Sequence, residues 1–157
     1  MKHKKLFVTL AASLALLLIV VGAASFYLVD YALVSVPRER NSDLSHVEKR
    51  FPEVKPWLDS LQAAGALRDT FVVMPQTGKR AHALYVRSPR AEGRTAVLVH
   101  GYGDNATSML PIARIYNREM GANVLLPDLY AHGQSDGEAI QMGWKDRLDV
   151  LHWISLA

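Results

Sequence analysis

The sequence predicts an α/β domain behind an N-terminal membrane helix, and three observations carry that reading. Leu6 to Val29 is a 24-residue run without a charged side chain, longer than the roughly 20 residues a helix needs to span a bilayer. Residues 67–74 and 80–86 are rich in alternating Val, Phe and Tyr around Pro75-Gln76-Thr77-Gly78-Lys79, the pattern of an antiparallel hairpin. Residues 95–99 and 123–128, both apolar, then bracket a helical pattern. That order is the parallel βαβ crossover, which implies a sheet covered on both faces.

The apolar run follows Lys2, Lys4 and Lys5 and precedes Asp30, so residues 1–30 are expected to be a membrane anchor or signal segment. Gly22-Ala23-Ala24-Ser25 offers small residues suited to signal peptidase, and secretion after cleavage near Ala24 is the alternative. The apolar core before it, about 16 residues, is long for a signal, and Phe26-Tyr27-Leu28-Val29 continues it. A buried helix is the third alternative, and an uncleaved anchor is the expectation. Lysines on a short tail favour a cytoplasmic N-terminus and an extracytoplasmic domain, although Arg38 and Arg40 on the far side weaken the bias.

The 157 residues suit about one further domain. Residues 1–40 hold five Lys/Arg against two acids, leaving thirteen of each among residues 41–157. The basic excess therefore belongs to the N-terminal segment, and no basic patch argues for nucleic acid. The absence of cysteine excludes disulfides, thiolate zinc sites and a Cys nucleophile.

Residues 31–45 read as a linker, with Val36 to Asp43 polar, and residues 46–157 as the domain. Phe51, Val54, Trp57, Leu58 and Leu61 recur at three- and four-residue spacings, so residues 47–64 predict one amphipathic helix that ends at Gly65, with Pro52 or Pro56 near a helical start. Trp57 is expected to pack, and a lid over substrate is its alternative role. His82 is expected as an exposed strand residue. The strand around Ala96-Val97-Leu98-Val99 is expected to be fully buried, and the helix after it to begin near Ser108, with Pro111 in its first turn and Gly121 as its stop. Residues 130–138 form a polar loop, and residues 144–156 a last amphipathic helix with Leu148, Leu151 and Ile154 inward.

Two loops thus leave the carboxyl ends of parallel strands, the edge where open α/β sheets place ligands. Three stretches carry a family resemblance: His100-Gly101-Tyr102-Gly103; Pro127-Asp128-Leu129-Tyr130-Ala131-His132-Gly133-Gln134-Ser135-Asp136-Gly137; and Met142-Gly143-Trp144-Lys145-Asp146-Arg147-Leu148-Asp149-Val150. In this order they resemble the α/β-hydrolase superfamily, more narrowly its serine aminopeptidase and prolyl-oligopeptidase-like branch, over roughly residues 65–155. The resemblance implies the N-terminal half of an α/β-hydrolase sheet, a hairpin then parallel βαβα, and ester or peptide hydrolysis by a serine nucleophile in the complete protein. It also implies that the Tyr102 backbone N–H is half of an oxyanion hole, supported by His100, Gly101, Gly103, Asp128 and His132. Tyr130-Ala131 departs from the Arg-Gly that many relatives carry.

Gly133-Gln134-Ser135-Asp136-Gly137 matches the Gly-x-Ser-x-Gly pattern, with Asp146, Asp149 and His152 after it, yet Ser135 is read as a turn residue. An elbow serine sits between a buried strand and its helix, whereas Ser135 follows several polar residues, and Asp149 and His152 share one helix. In the family the elbow follows the next strand, so no nucleophile is assigned. The chain is expected to be a gene fragment, a frameshifted product or a truncated piece that exposes an apolar strand edge. His100, His132 and Asp128 could in principle hold Zn²⁺, but their places in the family loops explain them, and no metal is expected. Gly101-x-Gly103 lacks the third Gly of a dinucleotide fingerprint, and no cofactor is expected. The alternative from another class is a membrane-tethered, non-catalytic binding or scaffold module.

Overall fold

A computed structural model describes residues 2–34 and 40–157. The chain divides into two compact units, with the division after Val34. The first is a single helix, α1 (Lys2–Leu33), whose apolar side chains, Phe7, Leu17 and Phe26 among them, are exposed along its length. It is long and apolar enough to cross a membrane, and its most apolar 18-residue stretch has a mean hydropathy of 2.7. Length and composition of this kind also fit a signal sequence.

The second unit is a four-stranded mixed sheet between helices. Its elements are α2 (Arg40–Arg50), α3 (Val54–Ala63), β1 (Leu67–Val73), β2 (Arg80–Val86), β3 (Thr95–Val97), β4 (Asn123–Pro127) and α5 (Asp146–Leu156), with α4 (Leu110–Arg114) between β3 and β4. The expected linker falls partly on residues 35–39, outside the described residues, and Arg40 to Asp43 already belong to α2. The single helix expected over residues 47–64 is two helices, because the chain turns at Phe51-Pro52-Glu53. Proline has no amide hydrogen to continue the first helix and disfavours a helical residue before it.

The strand order is β1-β2-β4-β3, with β1/β2 and β2/β4 antiparallel and β3/β4 parallel. The hairpin and the parallel crossover are those the sequence predicts. Strand alternation sends Val124 and Leu126 to one face, against Leu84, Val86, Trp57, Leu58 and Leu110, and Leu125 to the other, against Ala81, Ala83, Met74 and Trp153. Helices α3 and α4 thus cover one face and α5 the other.

Three local expectations are corrected. β3 is half-buried instead of fully buried, because among the described residues only β4 pairs with it; Val99 beyond it is exposed. The α-helix after the first loop starts at Leu110, two residues later than Ser108, because a 3₁₀ turn precedes it. The Asn105 side chain accepts hydrogen bonds from the amides of Thr107 (3.0 Å) and Ser108 (3.3 Å), which opens a 3₁₀ turn (Ala106–Met109) before α4. Pro111 does lie in the first turn of α4, and a π turn (Ile115–Glu119) follows. Finally, α5 starts at Asp146 and turns Asp146, Asp149 and Trp153 inward, leaving Leu151 and Ile154 exposed and Leu148 half-buried.

Candidate functional site

Because β3 and β4 run parallel, the loops after them rise side by side from one edge of the sheet, and their histidines lock them together. The His132 Nε2 accepts the Gly103 amide hydrogen (3.2 Å), and the His100 Nε2 accepts that of Leu129 (3.0 Å). Each ring therefore keeps its proton on Nδ1, which donates to a nearby carbonyl: His100 to Gly101 (2.8 Å), His132 to Tyr130 (2.9 Å). The two rings lie 5.0 Å apart, centroid to centroid. Burial pushes the pKa of His100 down, against the smaller opposing effect of its bond to Gly101. A neutral ring is what an accepting Nε2 requires.

Asp128 is the second brace. Its Oδ1 accepts the Ala106 amide (2.7 Å), at the start of the turn after β3, and its Oδ2 accepts the Gln134 amide (2.9 Å) and faces the His82 Nδ1 (2.7 Å). Burial would raise this carboxyl's pKa, but the bonds from His82, Gln134 and Ala106 outweigh it and hold it below the usual carboxylate value. Gly133 (φ 51°) curls directly over the group, and a Cβ there would sit 2.2 Å from the carboxyl carbon. One carboxylate thus ties the loop after β3, the loop after β4 and strand β2 into a unit.

His82 overturns its sequence expectation. It is only 1% exposed, lies on β2 beneath the loops, and has Asp128 on one ring nitrogen and Asp69 of β1 on the other (Nε2 to Oδ1, 2.9 Å). Satisfying both carboxylates at once takes the doubly protonated ring; a neutral ring donates to one. Asp69 and His82 had no motif to betray them. The available signal was positional: in the hairpin register Asp69 faces Leu84 and Phe71 faces His82, which puts the two polar residues diagonally across one face.

Ser135 is likewise committed. Its hydroxyl donates to the Asp128 carbonyl (2.7 Å) and accepts the His82 amide (2.9 Å), pinning the loop to β2. Ala131, where many relatives of the resembled family carry Gly, is buried and takes φ 60°, a left-handed conformation that costs a residue with a Cβ roughly 1–2 kcal/mol.

In the turn Gly101-Tyr102-Gly103-Asp104, the Gly103 amide is used by His132 and the Asp104 amide donates to the Gly101 carbonyl (3.3 Å). The Tyr102 side chain is 60% exposed at the mouth of this edge. The structure therefore brings His100, Gly101, Tyr102, Gly103, Asp128 and His132 to one place. Among the described residues no group of three or more His, Asp or Glu is arranged to hold a metal ion. The geometry agrees, since the accepting nitrogens of both histidines are already occupied by amides.

This α/β architecture is similar to part of the fold of solved α/β-hydrolases. The chain is similar to an esterase of Pyrococcus furiosus, with a TM-score of 0.52 and 24% identity over 57% of this chain and 35% of the esterase. A second crystal form of that esterase gives a TM-score of 0.51 at the same identity. The thioesterase domain from the curacin biosynthetic pathway is more distant (TM-score 0.45, 19% identity, 58% of this chain and 32% of that domain). The chain spans about a third of the esterase's length, and at this identity the likeness shows the fold alone. No protein-family model matches the sequence, and no curated protein matches it.

Proposed function

We propose that these residues form the N-terminal half of a serine hydrolase of the aminopeptidase and prolyl-oligopeptidase-like branch, acting on small ester or peptide substrates and tethered to a membrane through Leu6 to Val29, with the domain extracytoplasmic. Residues 1–30 are the anchor, residues 31–45 the connection and residues 46–157 the hydrolase portion. The observation that carries the reading is the reciprocal lock between the two strand-end loops, in which each histidine accepts an amide of the other loop. A lock of this kind fixes the backbone of the turn around Tyr102. Fixed amide donors are what acyl transfer needs, because a preorganised N–H stabilises the tetrahedral oxyanion by about 3 kcal/mol without reorganising during the reaction.

On this reading the Tyr102 N–H supplies one donor, and the nucleophile, the acid, the general base and the second donor come from outside these residues. Ser135 is not that nucleophile, since its proton is given to a backbone carbonyl. The 157 residues alone are then expected to be catalytically silent. Treating the purified chain with a fluorophosphonate probe tests this, and stoichiometric labelling of Ser135 would sink it. Sequencing the locus beyond the Ala157 codon tests the family chemistry separately. A Gly-x-Ser-x-Gly directly after an apolar strand, followed by Asp and His, is expected in one frame; its absence from all frames leaves a tethered binding module as the better account.

A further inference from the structure

We infer that the edge of the sheet opposite the histidine lock carries a binding site for a phosphate-bearing anion, built from Arg87, Arg90 and Arg118. Thirteen basic and thirteen acidic residues balance across residues 41–157, but folding does not keep them mixed. Arg87 follows β2, Arg90 lies in the loop to β3, and Arg118 lies in the π turn ahead of β4. All three line one cavity of about 250 Å³, together with Trp57, Ser88 and Asn117, and no carboxylate is among its lining residues.

The cavity is organised rather than incidental. Arg90 donates through Nη2 to the Arg118 carbonyl. Gly121 (φ 68°) lets the chain pass so close that a Cβ there would lie 3.2 Å from the Arg90 Cβ. Arg94 pins the same turn through the Met120 carbonyl (3.3 Å). The nearby Glu119 is directed to Arg114 (3.8 Å), and among the described residues no ion pair engages Arg87, Arg90 or Arg118. Buried Ser88 accepts the Arg90 amide on Oγ (3.2 Å), which leaves its hydroxyl hydrogen to donate. Trp57 donates through Nε1 to the Asn117 Oδ1 (3.1 Å), and the Asn117 NH₂ donates to the carbonyls of Arg87 (3.4 Å) and Ala122 (3.2 Å), which fixes the floor.

Three arginines line one cavity, and the guanidinium groups they carry can converge on an anion that enters it. Their planar donor forks match phosphate oxygens in pairs. A carboxylate would balance one of the three charges, whereas a phosphate monoester, close to a dianion at neutral pH, balances about two. The volume is below the roughly 300 Å³ at which drug-sized ligands are accommodated, so it suits a head group. That group could belong to a soluble phosphate monoester or to a phosphomonoester lipid, and the site does not depend on the acyl-transfer reading above.

The test uses the full chain, in an uncharged detergent and in nanodiscs. In detergent, inorganic phosphate and glycerol 3-phosphate are titrated calorimetrically against acetate at matched ionic strength. In nanodiscs, thermal unfolding is compared between phosphatidic acid, phosphatidylglycerol and phosphatidylcholine. Binding of the soluble phosphates at least tenfold tighter than acetate supports a soluble ligand. Stabilisation by phosphatidic acid beyond phosphatidylglycerol supports a lipid head group. Either effect must fall at least tenfold, or vanish, in Arg87→Gln/Arg118→Gln, and fall less in Arg87→Lys/Arg118→Lys, which keeps the charges and lets the site be judged if the first variant folds poorly. Responses equal to acetate and phosphatidylglycerol in both arms, or responses unchanged in both variants, overturn the site.

Discussion

Helices α3 and α5 pose the same problem and solve it oppositely. In α3, Val54, Trp57, Leu58 and Leu61 form a stripe at helical spacing, and that stripe is what the helix buries. In α5, Leu148, Leu151 and Ile154 make a comparable stripe, yet Leu151 and Ile154 are 60% and 53% exposed while Asp146 and Asp149 are 3% and 5% exposed. The difference lies in one residue. Trp153 enters the pocket formed by Met74, Ala81, Ala83 and Leu125. Once it does, the residues four and seven before it share its face, and those are Asp149 and Asp146. Periodicity announces a helix; the largest side chain with a receptor on the sheet sets its rotation.

The sharpest way to break this comparison is truncation on the two stripes. Trp57→Ala removes a fully buried ring that also donates to Asn117 (3.1 Å), and a loss of about 3–5 kcal/mol is expected. Leu151→Ala, on the equivalent stripe of α5, is expected to change stability by less than about 0.5 kcal/mol. Urea unfolding of both variants measures this, and a Leu151 effect matching that of Trp57 would mean that α5 turns its leucines inward.

The buried carboxylates extend the contrast, because Asp128 has three donors and Asp149 lacks any for its Oδ1. Asp128→Asn keeps one acceptor oxygen and turns an NH₂ toward donors, so about 3 kcal/mol should be lost at neutral pH. Asp128's pKa is lower in the folded state than in the unfolded chain. Its stabilisation is therefore present above the ordinary carboxylate pKa and lost as pH falls through the depressed folded value. The wild-type chain should show that acid loss and Asp128→Asn should not. Gly133→Ala attacks the same brace from above, at φ 51° and 2.2 Å from the carboxyl, and about 2 kcal/mol is expected. Thermal unfolding across pH reads all three chains.

The contrast also marks what the sequence could and could not disclose. The hairpin, the βαβ crossover and the meeting of residues 100–104 with residues 128–137 were legible, because each follows from local alternation and from the rule that parallel strands end on one edge. The brace Asp69–His82–Asp128 was not, since it joins β1, β2 and the loop after β4 through side chains whose facing depends on register. The basic cavity was hidden because Arg87, Arg90 and Arg118 are neutralised in any count along the chain and meet only when the turn at Gly121 folds back on Arg90. The split of the expected helix at Pro52 was written in the sequence, but the apolar spacing on either side of it masked the break.

A smaller effect than those at Asp128 and Gly133 separates the two helices most cleanly. Burial, and next the charge of Asp146, push the pKa of Asp149 up, against the weaker pull of His152. The folded chain thus holds this proton more tightly than the unfolded chain. The contribution of Asp149 to stability is complete below the ordinary carboxylate pKa and is lost as pH rises through the elevated folded value, so at neutral pH an ionised Asp149 works against α5. Asp149→Asn removes the charge and its repulsion with Asp146, and a gain of about 1 kcal/mol near neutral pH is expected. The gain should shrink toward zero on acidification, because the wild-type carboxyl is then neutral as well. Unfolding curves of the two proteins between about pH 4 and pH 8 decide it. A loss at neutral pH would show that Asp149 has a partner worth keeping, and that α5 buries its acids for a reason other than the seat of Trp153.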